Sequence, residues 1–172
     1  MDKYTIVERI NLKGNVYLVH DKNNVYYVMK IIPYEKNEFE QICLKKVKDI
    51  CDTKIICYIE DFIVNVDNSQ YKVLILEYDK NYIDLMEFIK NYKITKEDMK
   101  KIYKQIEKIL NSLHERNVLH GAVNERNVMI NPDNLYVKLI DFGNCKIVSD
   151  NNFQQDILQF NYLKVYLKNY FI

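Results

Sequence analysis

Leu119-His120-Gly121-Ala122-Val123-Asn124-Glu125-Arg126-Asn127-Val128-Met129-Ile130, followed by Val137-Lys138-Leu139-Ile140-Asp141-Phe142-Gly143, is the stretch from which the fold is read. The chain has only 3 glycines, and two of them lie here beside residues able to do chemistry. The apolar runs Val128 to Ile130 and Val137 to Ile140 have strand character and flank a polar turn, Asn131-Pro132-Asp133-Asn134. That pattern predicts a short hairpin with Asn127 at one end and Asp141 at the other. An amide oxygen and a carboxylate so placed suit a hard cation such as Mg²⁺, which takes oxygen ligands and accompanies phosphates.

Upstream, Thr95 to Asn117 carries the clearest helical period. Met99, Ile102, Tyr103, Ile106, Ile109, Leu110 and Leu113 recur at three and four. Thr95 with Asp98 forms a capping-box pattern, and Asn117 is a stop. Such a helix is a core element that delivers the chain to His120. Downstream, 29 residues follow Gly143. Asn151-Asn152 is placed to cap a last helix carrying Phe153, Ile157, Phe160, Leu163 or Lys164, and Leu167.

In the first half, Tyr4 to Ile10 and Val16 to His20 read as strands joined by Asn11-Leu12-Lys13-Gly14-Asn15. Val25 to Ile32 is a strong strand stopped by Pro33, with Lys30 as a cation inside an apolar run. Taken alone, that lysine is an edge residue with its head in water. Lys36 to Asp49 has helical spacing, with Asn37 as cap and Phe39, Ile42, Cys43 and Val47 on one face beside Leu44. Lys54 to Val66 and Tyr71 to Tyr78 form a hairpin about Asp67-Asn68-Ser69-Gln70, and Asp79 to Tyr82 is a polar linker.

Hydrophobic content of 48% supports a folded core. With 25 basic and 24 acidic residues, net +1, electrostatics makes no case for nucleic acid or a membrane surface as partner. No apolar run has the length of a membrane span. Cys43, Cys51, Cys57 and Cys145 lack metal-type spacing and fit buried thiols in a reducing, cytoplasmic setting. His20 and His114 have no evident partner in the sequence. Heavy use of Lys, Asn, Ile and Tyr points to an AT-rich genome, that of a parasite or of a large DNA virus in its host cell.

The two opening segments resemble the protein-kinase superfamily. Its catalytic loop runs His-Arg-Asp, with Asn five residues after the Asp, and its metal motif is Asp-Phe-Gly. His120, Asn127 and Asp141-Phe142-Gly143 match, and Gly121 in place of Arg is found in several small, divergent kinase families. Ala122 departs: it stands where the family has the Asp that accepts the substrate hydroxyl's proton.

The resemblance implies an α+β, bilobal kinase-like fold. Residues 1–78 are the first lobe, a five-stranded antiparallel sheet with one helix. Residues 79–82 are the hinge, and 83–172 a reduced, mainly helical second lobe. It implies ATP with Mg²⁺ as ligands. Asn127 and Asp141 match the metal positions, and Lys30 matches the strand lysine that holds the phosphates. Glu40, or alternatively Glu38, matches the helix carboxylate paired with that lysine. Gly14 and Val16 fall in the phosphate-covering loop, Val16 and Val28 above an adenine, Met129 below it, and Glu77 in the hinge. Asp156 resembles the helix Asp that bonds the loop backbone, while His120 and Phe142 are packing residues. The only prolines are Pro33 and Pro132, so the Ala-Pro-Glu motif that closes a kinase activation segment is absent.

Two functional readings follow. One is an ATP- and Mg²⁺-binding pseudokinase, inactive because of Ala122, that acts as a decoy or as an allosteric partner through another protein or a second copy. The alternative is an active kinase of proteins or small molecules, with Ala122 an engineered replacement of Asp. A scaffold that binds no nucleotide is the third, blander possibility.

Overall fold

The computed structural model describes residues 3–10, 14–34, 38–51 and 54–170. In the first half, β1 (Tyr4–Arg9), β2 (Val16–Asp21), β3 (Tyr26–Pro33), β4 (Tyr58–Val66) and β5 (Ser69–Glu77) form one antiparallel sheet in the order β1-β2-β3-β5-β4. Strand β5 lies inside the sheet, so its run Val73 to Leu76 is buried on both faces. The β4–β5 turn is tighter than the sequence implied. Asp67 and Asn68 both take positive φ, 47° and 64°, giving the two-residue turn that matches strand twist.

Helix α1 (Glu38–Lys46) is shorter than the expected Lys36 to Asp49, and Lys48–Ile50 continues as a 3₁₀ turn. The expected cap, Asn37, lies outside the described residues. Cys43, Leu44 and Val47 are buried, whereas Phe39 and Ile42 are exposed, so the buried face is narrower than the apolar spacing suggested. The expected strand from Lys54 also begins late. Lys54 to Ile56 instead meet Leu139 of the second lobe: Leu139 N donates to Lys54 O and Ile56 N to Leu139 O, both at 3.0 Å.

In the second half, β6 (Ile83–Asp84) leads into α2 (Leu85–Asn91), which the sequence reading had not assigned. Asp84 caps it by accepting from Glu87 N at 2.7 Å. Helix α3 (Lys96–His114) starts at the expected capping box, Thr95 with Asp98, and the chain turns away at Asn117 with φ 57°. There follow β7 (Val118–Leu119), β8 (Val128–Ile130), β9 (Val137–Leu139), β10 (Lys146–Ile147) and α4 (Gln154–Leu167). β6, β8 and β9 form one small sheet, β7 and β10 another.

The buried face of α3 (Met99, Ile102, Ile106, Ile109, Leu110, Leu113) joins Val128, Ile130, Val137, Leu139 and the α4 residues Phe160, Leu163 and Leu167 in one core. Cys43, Leu44 and Val47 of α1 belong to the same cluster, so the two lobes share a continuous interior. Ile157, expected along α4 with Phe160 and Leu167, is exposed, whereas those two are buried. No helix among the described residues is long and apolar enough to cross a membrane.

Ile106 is fully buried at the centre of this cluster. Ile106→Ala is expected to cost about 2–5 kcal/mol, from lost transfer energy plus the cavity, read as a lower urea midpoint at unchanged slope.

Candidate active site

Lys30 lies on β3 opposite Val16 of β2 and Leu74 of β5. Its Nζ sits 2.9 Å from Glu40 of α1 and 2.8 Å from Oδ1 of Asp141. The strand lysine therefore ties the sheet, the helix and the segment after β9 together. Of the two helix carboxylates left open by the sequence, Glu40 makes this pair. It is fully buried, while Asp141 keeps about half its side-chain surface.

Burial works against the charged form of Lys30, yet the attraction and hydrogen bonds of Glu40 and Asp141 hold its pKa above the ordinary value. Burial also opposes ionisation of Asp141. The charge and hydrogen bond of Lys30, joined by the Gly143 N–H, outweigh it and hold that carboxyl below the usual range. Burial raises the Glu40 pKa more than Lys30 lowers it, with Asp141 adding repulsion. Asp141 is thus the member held in its anionic form and facing solvent. It occupies the left-handed region, φ 62°, and accepts from Gly143 N at 3.3 Å. A Cβ on Gly143 would stand 3.1 Å from Asp141 Oδ1 and 3.3 Å from Lys30 Nζ, so glycine leaves room for the ion pair.

The loop from His120 to Asn127 is held by backbone bonds. Buried Asp156, on α4, accepts from His120 N at 2.9 Å and Gly121 N at 2.8 Å. His114 Nε2 lies 2.9 Å from the same carboxylate, and its ring stacks on Phe153, so His114 has a partner the sequence did not reveal. His120 Nε2 meets Ile140 O at 3.0 Å, and Ala122 N donates to His120 Nδ1 at 3.3 Å. Those partners define a neutral ring protonated on Nε2. Phe142 packs edge-on against it. Gly121 takes φ 77°, and a Cβ there would stand 2.4 Å from Asn144 O. That crowding accounts for glycine where the family has Arg.

Asn127 and Asp141 flank the open end of the β8–β9 hairpin, where Val128 faces Leu139, so the antiparallel pairing carries both to the same end. Asn127 Nδ2 donates to Ala122 O at 2.8 Å, which leaves its amide oxygen as the atom for a cation. An amide oxygen beside an ionised, half-exposed carboxylate is a donor set that fits Mg²⁺ completed by phosphate and water. Ala122 brings no polar side-chain atom to the loop.

Val16, Val28 and Lys30 share one sheet face, and all three are partly buried, as is Met129 on β8. Gly14 O accepts two bonds from Arg9, at 3.0 and 2.9 Å, while residues 11–13 of the expected phosphate loop lie outside the described residues. The Glu77 side chain is engaged with Lys138 at 2.7 Å and Cys57 N at 3.2 Å. Glu77 N also donates to Cys57 O at 2.9 Å, so both its side chain and its N–H are engaged within the fold. The Lys138 pair is a second link between the lobes that the sequence reading missed.

Burial pushes the His120 imidazole below its ordinary value, more than the attraction of Asp156 and the Ile140 carbonyl raises it. The folded state then binds fewer protons than the unfolded chain below about pH 6.5. Stability is expected to be complete above that pH and to fall as pH drops toward the lowered folded value. His120→Gln should flatten this limb of a Tm–pH curve. Gly121→Ala should cost more than the roughly 1 kcal/mol usual for a left-handed site, because the Asn144 carbonyl has to move; denaturant melts measure it.

A sequence profile of the protein kinase domain matches residues 12–164. Serine/threonine-protein kinase 1 of African swine fever virus is 27% identical over 146 residues, covering 84% of this chain and 46% of the viral protein. A probable serine/threonine-protein kinase of Dictyostelium discoideum, fnkB, is 31% identical over 152 residues, covering 83% of this chain and 27% of its own length. Among solved structures, the Cydia pomonella granulovirus kinase PK-1 superposes with a TM-score of 0.71 at 26% identity, covering 86% of this chain and 53% of that one. The chain spans about half the length of the viral relatives it matches. Profile, relatives and superposition agree with the assembled lysine, glutamate and aspartate: this chain belongs to the protein kinase domain family.

Proposed function

We propose that this chain is a nucleotide-binding kinase domain of the serine/threonine type that binds ATP with Mg²⁺ and is impaired in phosphoryl transfer at residue 122. One observation carries the reading: Lys30, Glu40 and Asp141 are joined at 2.9 and 2.8 Å beside Asn127, while the loop position that bears the family's Asp is Ala122. Lys30 is the clamp for the nucleotide phosphates, Glu40 holds it, and Asn127 with Asp141 are the cation ligands. Val16 and Val28 above and Met129 below are the walls for an adenine, with Glu77 in the hinge at its edge and Gly14 in the phosphate loop. The division at residues 79–82 into two lobes belongs to the same reading.

Bound Mg²⁺ would neutralise phosphate charge and fix the terminal phosphoryl group. Everything else falls to the chain's own residues. The Ala122 methyl can neither accept a proton from a hydroxyl nor orient it. Loss of a positioned general base typically lowers the rate by ~10²–10⁴. Burying Glu40 with Lys30 is costly in a fold with no charged ligand to hold. The retained cluster therefore supports nucleotide binding over an inert scaffold. On this reading the chain works by occupying a protein partner, such as a kinase or a kinase substrate, in the cytoplasm of a host cell. The active-enzyme reading differs only in the residue at position 122.

Two measurements test the proposal. Millimolar MgATP is expected to raise Tm in proportion to ligand excess over Kd, and an unchanged Tm overturns the nucleotide site. Ala122→Asp is expected to raise γ-phosphate transfer or ATP hydrolysis by roughly 10² or more over the Ala122 chain. If both forms stay silent while MgATP still binds, position 122 is not the sole lesion.

A further inference from the structure

Helix α4 grips the loop with more than Asp156. Gln159 Oε1 accepts from Val123 N at 2.9 Å, and its Nε2 donates to Gly121 O at 3.0 Å. Gln155 Nε2 donates to the same Gly121 carbonyl at 2.9 Å. The two Gln159 bonds straddle Ala122. We propose that Gln159 is a positioning residue for Asn127, acting through the peptide between Ala122 and Val123. The proposal rests on the reading of Asn127 and Asp141 as cation ligands.

The argument is one of planarity. The Val123 N–H and the Ala122 C=O belong to one rigid trans peptide and point in opposite directions. Holding the N–H on the α4 side therefore aims the carbonyl to the other side. There Ala122 O accepts from Asn127 Nδ2 at 2.8 Å and from Asn124 Nδ2 at 3.1 Å. The Asn127 amide is itself planar, so fixing its nitrogen restricts where its oxygen lies. Gln159, the Ala122 peptide and the Asn127 oxygen thus form one relay. Asp156 bonds the N–H groups of His120 and Gly121 and does not hold this peptide.

Only a carboxamide serves both flanks, because the Val123 side needs an acceptor and the Gly121 side a donor. Glutamate keeps the first bond and loses the second, whose acceptor still has Gln155. The relay contains no atom of the residue 122 side chain. It keeps the candidate cation ligand aimed even though the residue between its two bonds is alanine.

The test uses the full chain and its Gln159→Leu and Gln159→Glu variants. Gln159 is half-buried on the wall of a cavity of about 670 Å³, which gives a substituted side chain room. Gln159→Ser, too short for either bond, replaces the leucine variant if that one fails to unfold cooperatively. Two readouts are taken: amide exchange at Val123 without nucleotide, and the gain in ATP affinity on replacing EDTA by Mg²⁺, by calorimetry.

Gln159→Leu is expected to speed Val123 exchange and to cut the magnesium gain about ten-fold, with affinity in EDTA unchanged. Gln159→Glu is expected to retain most of the gain. Several results overturn the relay: an unchanged gain in folded Gln159→Leu, equal losses in the leucine and glutamate variants, or an equal fall in EDTA. An unsubstituted chain with no magnesium gain overturns the cation reading, and the relay with it. A gain that survives loss of Gln159 overturns the relay alone.

Discussion

The contact on which the site depends is the shared lysine of β3. Lys30 meets Glu40 of the helix and Asp141 of the second lobe at hydrogen-bond distance, so strand β3, helix α1 and the segment after β9 converge on one ammonium group. Two carboxylates around one cation carry excess negative charge, and the strain falls unevenly. Glu40 is wholly buried and has its pKa raised, whereas Asp141 is half-exposed and has it lowered. The net negative charge is therefore presented to solvent at Asp141, where a divalent cation can be held.

The same division between a buried holder and an exposed actor recurs in the loop. Asp156 is buried, kept ionised by His114 and by the N–H groups of Gly121 and His120 against the cost of burial, and never reaches solvent. It organises His120 and Gly121 so that Ala122 and Asn127, both partly exposed, form the surface of the site. A loop whose backbone bonds go to helix α4 and to a neutral His120 does not need a charged residue at position 122 to keep its shape. Loss of the carboxylate there is compatible with an intact fold, which a lesion at Asp156 would not be.

Much of the architecture was legible in the sequence. The period of α3, its Thr95–Asp98 cap, the β8–β9 hairpin and the five strands of the first lobe were all found within a few residues. Local periodicity and local hydrogen bonds govern them. Misreadings came where neighbours decide. Phe39, Ile42 and Ile157 have core-like spacing but face solvent, because α1 and α4 each pack on one narrow side. Lys54 to Ile56 looked like strand and instead bridge to Leu139. Gln155 and Gln159 flank Asp156 at one-turn spacing on an apolar helix, a polar pattern that could have flagged them.

What the sequence determined by itself is the identity and order of the candidate site residues. Lys30, Asn127, Asp141 and the alanine at 122 are picked out by motifs that resemble those of kinases, whose spacing short, rigid segments of backbone fix, whereas the helix carboxylate stayed open between Glu40 and Glu38. The tertiary structure decided the partnerships: Glu40 over Glu38 for Lys30, His114 for Asp156, Lys138 for Glu77, and Gln159 for the peptide after Ala122. Apart from Lys30 and Glu40, which are 10 residues apart, these side chains meet partners 36 to 61 residues away. Whether two polar groups so separated meet depends on how sheet, helix and loop pack into one core, and no local rule of spacing encodes that.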